Sequence, residues 1–183
     1  MKSSMKTMVA AAMFAALTAV CSQIAIPLPW GVPLNLATLS VFLSGALLGV
    51  KWGFISQLVY VLLGAVGVPV FAGFRGGLGA LTGPTGGYLL GYLLAALLVG
   101  LLIQLRPHSK WMLPVSMVCG LAVCYILGTA WFMALTHTGM LVAFAKCVLP
   151  FLPGDAAKIV VASLITARVG ALHLRSAAEN AAA

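Results

Sequence analysis

The chain has 183 residues, 63% of them hydrophobic and 7% charged, with 2 acidic side chains against 10 basic ones and a formal net charge of +8. An ordinary soluble domain is about 25% charged, so a mean hydropathy of +1.16 leaves too little polar surface to cover a water-soluble fold. Apolar runs long enough to cross a hydrocarbon core of about 30 Å recur without period-two alternation, which points to an all-α polytopic membrane protein and away from a membrane barrel. The basic residues stand singly between apolar segments, with no cluster able to follow a phosphate backbone, so a nucleic-acid partner is not expected. No polar linker or charge block divides the chain, and a single integral membrane domain over 1–183 is expected.

Reading apolar runs against Gly and Pro punctuation predicts six transmembrane helices, near 7–26, 36–50, 53–68, 86–105, 111–136 and 155–174. Lys2 and Lys6 precede the first run as in a signal peptide. The run continues to Ile26, however, and the small-residue cleavage pattern is poor around Val20 and Cys21, so it is expected to be the first span. Ala11, Ala15 and Ala19 recur four apart along it, with Ala12 and Ala16 alongside, a pattern that permits close helix contact in lipid. The second and third helices are short for a span of about 20 residues, which predicts little tilt, extension into the flanking loops, or a close hairpin over 49–53.

A glycine-dense segment over 71–88 follows. It can bring backbone close to a ligand, or serve as a turn with helix packing at Gly83, Gly87 and Gly91. Arg75 within it is suited to a carboxylate or carbonyl oxygen, or to snorkelling at the interface. Trp30, Trp52, Trp111 and Trp131 fall near span ends as interfacial anchors do. Trp30 and Tyr88, beside the connections over 27–35 and 69–85, are also placed to wall a pocket. The four cysteines lack Cys-x-x-Cys spacing, and His108, His137 and His173 lack metal-ligand spacing, so no metal is expected. No Ser/His/Asp set or carboxylate pair suggests an enzyme. The absence of any Gly-Lys dipeptide excludes ATP hydrolysis by a P-loop, and no cofactor is expected in this chain.

Counting Lys and Arg in short connections, six spans put Lys2, Lys6, Lys51, Arg106, Lys110, Arg168 and Arg175 on one side and Arg75 and Lys146 on the other. The positive-inside rule then makes both termini cytoplasmic. The long connections over 27–35, 69–85 and 138–154 lie on the outer face, where a binding site would be built.

The scarcest groups are the most informative. Asp155 and Lys158 stand one helical turn apart at the start of an apolar stretch, and ionisable groups at membrane depth are costly, roughly 2.5–3.5 kcal/mol on insertion scales, unless paired or facing a cavity. Asp155 can cap the last helix, with Lys158 as a local partner. Alternatively its carboxylate accepts N–H groups of a urea-like or amide ligand while the ammonium meets an oxygen.

Three segments together, Pro33-Leu34-Asn35-Leu36-Ala37-Thr38-Leu39, Gly83-Pro84-Thr85-Gly86-Gly87-Tyr88-Leu89-Leu90-Gly91 and Leu152-Pro153-Gly154-Asp155-Ala156-Ala157-Lys158, resemble the BioY family, the biotin-specific S components of energy-coupling factor transporters. The resemblance implies a six-helix protein of a prokaryotic cytoplasmic membrane that captures biotin outside and delivers it inward. It also implies a transmembrane coupling protein and two cytoplasmic ATPases, which use ATP, as partners. Carried over by position, Asp155, Lys158 and Arg75 are the biotin contacts, with Tyr88 and Asn35 as further candidates, and Ala11, Ala15 and Ala19 mark the face that docks on the coupling protein. Many relatives carry Gln where this chain has Ala37, so a polar contact there falls to Asn35, Thr38 or nothing. A solitary biotin carrier, an S component for another vitamin, and a structural membrane protein are the alternatives.

Overall fold

In a bilayer, apolar segments satisfy their backbone groups by becoming helices. The computed structural model describes residues 2–106 and 111–182, with side chains described over 5–106 and 111–169. Its helices are α1 (Lys2–Gln23), α2 (Ala37–Ala65), α3 (Leu78–Thr82), α4 (Gly86–Leu105), α5 (Met112–Thr136), α6 (Met140–Cys147) and α7 (Leu152–Ala182). Between α1 and α2 a short antiparallel hairpin pairs β1 (Ala25–Ile26) with β2 (Leu34–Asn35), placing Ala25 opposite Asn35. His108 and Lys110 lie outside the described residues, as do the side chains of Lys2, His173 and Arg175.

The second and third predicted helices form one element, α2, broken at Gly49, whose φ of 76° and ψ of −173° lie outside the helical region and suit glycine. Residues eight apart in a straight helix are separated by about 12 Å. Here a Cβ added to Gly53 would lie 2.9 Å from Gly45 Cα, and Gln57 Nε2 donates to Ser44 Oγ at 3.0 Å. The two limbs of α2 therefore fold back on each other, which is the hairpin alternative at 49–53. As continuous elements, α1, α2, α4 and α5 are long and apolar enough to cross a membrane; α6 and α7, bent by 50°, add a fifth if they make one span. The count of four or five takes α2 once, although its two limbs fold back on each other at Gly49.

Four short elements escape periodicity. β1, β2 and α3 occupy loops, and α6 occupies the connection over 138–154. The last helix begins at Leu152, before the predicted 155, and the Asp155 N–H bonds Phe151 O at 2.8 Å. Asp155 is therefore inside the first turn and does not cap the helix.

α2 packs chiefly on α1 and α4, and α4 on α5. The α4–α5 approach depends on small residues: a Cβ on Gly87 would sit 2.3 Å from Trp131 Cβ, and one on Gly91 3.0 Å from Cys124 Cα. The packing reading of the late glycines holds at these two positions. Gly83 instead stays in the loop, where its carbonyl accepts Trp131 Nε1 at 3.0 Å.

Where α1 meets the α2 hairpin, polar side chains replace apolar ones. Thr18 Oγ1 and Ser40 Oγ share a hydrogen bond of 2.8 Å, and Gln57 Nε2 reaches Thr18 at 3.2 Å as well as Ser44. All four residues are fully buried. Ala11 and Ala15 are buried on this same side of α1, Ala19 is half-buried, and Ala12 and Ala16 are exposed. The outward face of α1 thus carries Ala12 and Ala16, one position beside the predicted row.

Candidate functional site

Above the apolar cluster of Tyr60, Tyr92, Cys124 and Phe151, the hairpin, the loop over 71–76, the start of α4, the middle of α5 and the start of α7 surround a cavity of about 490 Å³. That is the size range of small-molecule sites, and so is its character of aromatic walls with a few polar groups. Asp155, Lys158, Arg75, Tyr88 and Asn35, far apart in sequence, all line it.

Helical spacing sets Asp155 and Lys158 on one face of α7, and the fold turns that face onto α2 and α5. Lys158 Nζ lies 2.7 Å from Asp155 Oδ1, with the two side chains 8% and 2% exposed. Thr38 Oγ1, near the start of α2, donates to Asp155 Oδ1 at 3.0 Å, and the Tyr125 hydroxyl of α5 donates to Oδ2. Lys158 also donates to Thr38 Oγ1 at 3.1 Å and to the Asn35 carbonyl. A buried ion pair offsets its desolvation only when further hydrogen bonds satisfy both ions, and this cluster meets that condition.

The arrangement has a chemical consequence. An ammonium has three donors, and the contacts to Asp155, Thr38 and Asn35 occupy all of them. A ligand oxygen that reaches Lys158 must therefore displace Thr38 or the Asn35 carbonyl. The carboxylate has about four acceptor positions and uses three, so it can accept an N–H from a ligand without losing a partner.

Asn35 meets Lys158 through its main chain, and its side-chain Oδ1 accepts the Ala37 N–H at 3.1 Å. Ala37 is fully buried, and Thr38 supplies the polar group in this part of the wall. Tyr88 presents its ring to the cavity while its hydroxyl donates to Cys147 O at 3.1 Å, tying α4 to α6. Arg75 is exposed and lies in a turn closed by mutual backbone bonds to Phe71 of 2.9 and 3.1 Å. Among the described residues no hydrogen bond or ion pair holds its guanidinium. Trp30 is half-buried against the core beside the cavity and does not line it. Ala11, Ala15 and Ala19 of α1 do not line the cavity, although Ala15 belongs to the apolar cluster beside it and Ala19 packs against that cluster.

Tyr125 is the member of the cluster that sequence reading missed. A tyrosine in the middle of an apolar span carries a hydroxyl that must find a partner there, and that was the available signal. No group of three or more His, Cys, Asp or Glu side chains suited to a metal occurs among the described residues.

Comparison with known proteins agrees with this architecture. The BioY family model matches residues 1–175. The chain is 42% identical over 170 residues to a biotin transporter BioY of Thermotoga maritima, covering 93% of this chain and 99% of that protein. It is 40% identical over 158 residues to a probable biotin transporter BioY of Pyrococcus horikoshii, covering 86% and 92%. Its fold is similar to the crystal structure of the S-component for biotin from an ECF-type ABC transporter, with a TM-score of 0.84, 26% identity and 92% of each chain covered. An all-α polytopic membrane fold of the S-component type, matched by family sequence along nearly its whole length, makes this chain a member of the BioY family.

Proposed function

We propose that the chain is the substrate-binding S component of an ECF-type importer for biotin. It is a transport subunit and not an enzyme. The observation that carries the reading is the buried Asp155–Lys158 pair in the wall of an aromatic cavity whose mouth carries the exposed Arg75. Biotin has matching ends: a ureido ring with N–H donors and a carbonyl, and a tail ending in a carboxylate. The ureido ring sits on Asp155 and Lys158, one N–H on the remaining acceptor position of the carboxylate and the carbonyl on the ammonium. The tail runs toward the mouth, where the Arg75 guanidinium pairs with its carboxylate. Tyr88 walls the ring, and Asn35 acts through the carbonyl that Lys158 releases.

Counting the limbs of α2 separately, and α6 with α7 as one, gives six crossings of a prokaryotic cytoplasmic membrane by a single integral domain with both termini inside. Lys51 and Arg106 then face the cytoplasm and Arg75 the outside, in keeping with the positive-inside rule. A transmembrane coupling protein docks on the open face of α1, where Ala12 and Ala16 allow close approach. The buried Ala11 and Ala15 hold α1 against α2, and Ala19 flanks them. Two cytoplasmic ATPases supply the ATP-driven step. The test is uptake of labelled biotin by vesicles holding this chain with the coupling protein and ATPases: ATP-dependent accumulation is expected, and its absence when the same module works with another S component would refute the reading.

A further inference from the structure

The last turn of α1 is fastened to the loop that carries Arg75. Ser22 Oγ donates to Val70 O. Gln23 Nε2 donates to Phe71 O at 3.1 Å and reaches Pro69 O at 3.5 Å, and Gln23 Oε1 accepts the Phe74 N–H at 2.9 Å. One amide therefore holds the turn Phe71–Arg75 at both Phe71 and Phe74. That turn contains Phe74 at φ 55°, a backbone conformation that bulky residues rarely adopt. The Phe74 ring is 74% exposed, so its own packing does not hold the turn. The mutual backbone bonds between Phe71 and Arg75 close the turn, and the Gln23 amide ties it to α1 through Phe71 and Phe74, the residue before Arg75.

We infer that Gln23 is a positioning residue for substrate selection: by clamping the Phe71–Arg75 turn it aims the otherwise unheld Arg75 guanidinium at the mouth of the cavity, and so sets the preference for a ligand ending in a carboxylate. The inference rests on the proposed pairing of Arg75 with the biotin carboxylate. Gln23 itself also borders the cavity, but its amide is engaged with the loop, and its effect is exerted through Arg75. A guanidinium on a flexible stem meets a carboxylate well only when its direction is fixed beforehand.

The experiment compares biotin with biotinamide, in which a neutral amide replaces the carboxylate, by competition against labelled biotin on purified, folded protein. The wild-type chain should prefer biotin by about tenfold or more, the scale of a charge-assisted hydrogen bond. Arg75→Ala should bring the two affinities together. Gln23→Met, which keeps the volume without the amide, and Gln23→Asn, which is one methylene too short, should each cut the preference to about threefold or less. Their affinity for biotinamide should stay close to wild type. If both Gln23 variants keep the full preference while Arg75→Ala loses it, or weaken both ligands equally, Gln23 has no positioning role. If Arg75→Ala keeps the preference, the Arg75 pairing itself is wrong and the inference falls with it.

Discussion

Removing the Asp155 carboxylate separates a structural ion pair from a ligand site. In Asp155→Ala the buried Lys158 ammonium loses its counter-charge, and Thr38 and Tyr125 lose their common acceptor. Breaking a buried pair from one side typically costs ~3–5 kcal/mol of stability. The binding loss is a different quantity. One ligand hydrogen bond to a charged acceptor is worth ~1.5–3 kcal/mol, so biotin affinity should fall about ten- to a hundredfold. Asp155→Asn paired with Lys158→Met tells the effects apart, because replacing both ions by neutral groups of similar shape is often close to neutral for stability. Thermal unfolding of the detergent-solubilised protein should show a large drop in Tm for Asp155→Ala and recovery in the double variant. Equilibrium binding of labelled biotin should stay impaired in both. Wild-type affinity in the folded double variant would refute the argument and reduce the pair to a local stabilising contact.

The faces of α1 give a paired prediction. Ala16→Trp, on the exposed side, should leave biotin binding intact but block copurification with the coupling protein and ATP-dependent uptake. Ala15→Trp should instead overpack the α1–α2 contact, lowering stability by ~1–3 kcal/mol or more in a thermal melt. In the polar network, Gln57 Oε1 finds no partner among the described residues. Gln57→Met gives up the two bonds that Nε2 donates to Thr18 and Ser44 but also removes this orphaned oxygen, so the net change should be small, about 1 kcal/mol or less, whereas Gln57→Glu, which buries a carboxylate at membrane depth, should lower stability by roughly 2.5–3.5 kcal/mol, read by the same melt. Single cysteines in a background lacking Cys21, Cys119, Cys124 and Cys147 should label from outside at position 76 and from inside at position 106. The reverse pattern would invert the topology.

The helices were legible because apolar length is nearly all that a spanning helix requires. The fold-back of α2 was legible because two short runs flank glycines at 49 and 53. The short elements were not: β1, β2, α3 and α6 are held by tertiary contacts and carry too few residues for a period to register. At the site, the rarity of acids in an apolar chain singled out Asp155, a lone guanidinium in a glycine-dense loop singled out Arg75, the place of Tyr88 beside a long connection marked it as a pocket wall, and family resemblance added Asn35. Neither route predicted that Lys158 would bond the main chain of Asn35, since a carbonyl contact leaves no mark on residue type. The row Ala11, Ala15 and Ala19 was visible in the sequence, but alanine spacing fits two adjacent faces of a helix. Only packing against α2 distinguishes the buried face from the open one holding Ala12 and Ala16.

The central claim is that this cavity captures biotin without help from any partner. Binding of radiolabelled biotin to the purified chain, free of coupling protein and ATPases, tests it most directly. The account predicts saturable binding of one biotin per chain, lost or strongly weakened when Asp155, Lys158 or Arg75 is replaced by alanine in folded protein. Binding that does not saturate, or that is unchanged in all three variants, would contradict it.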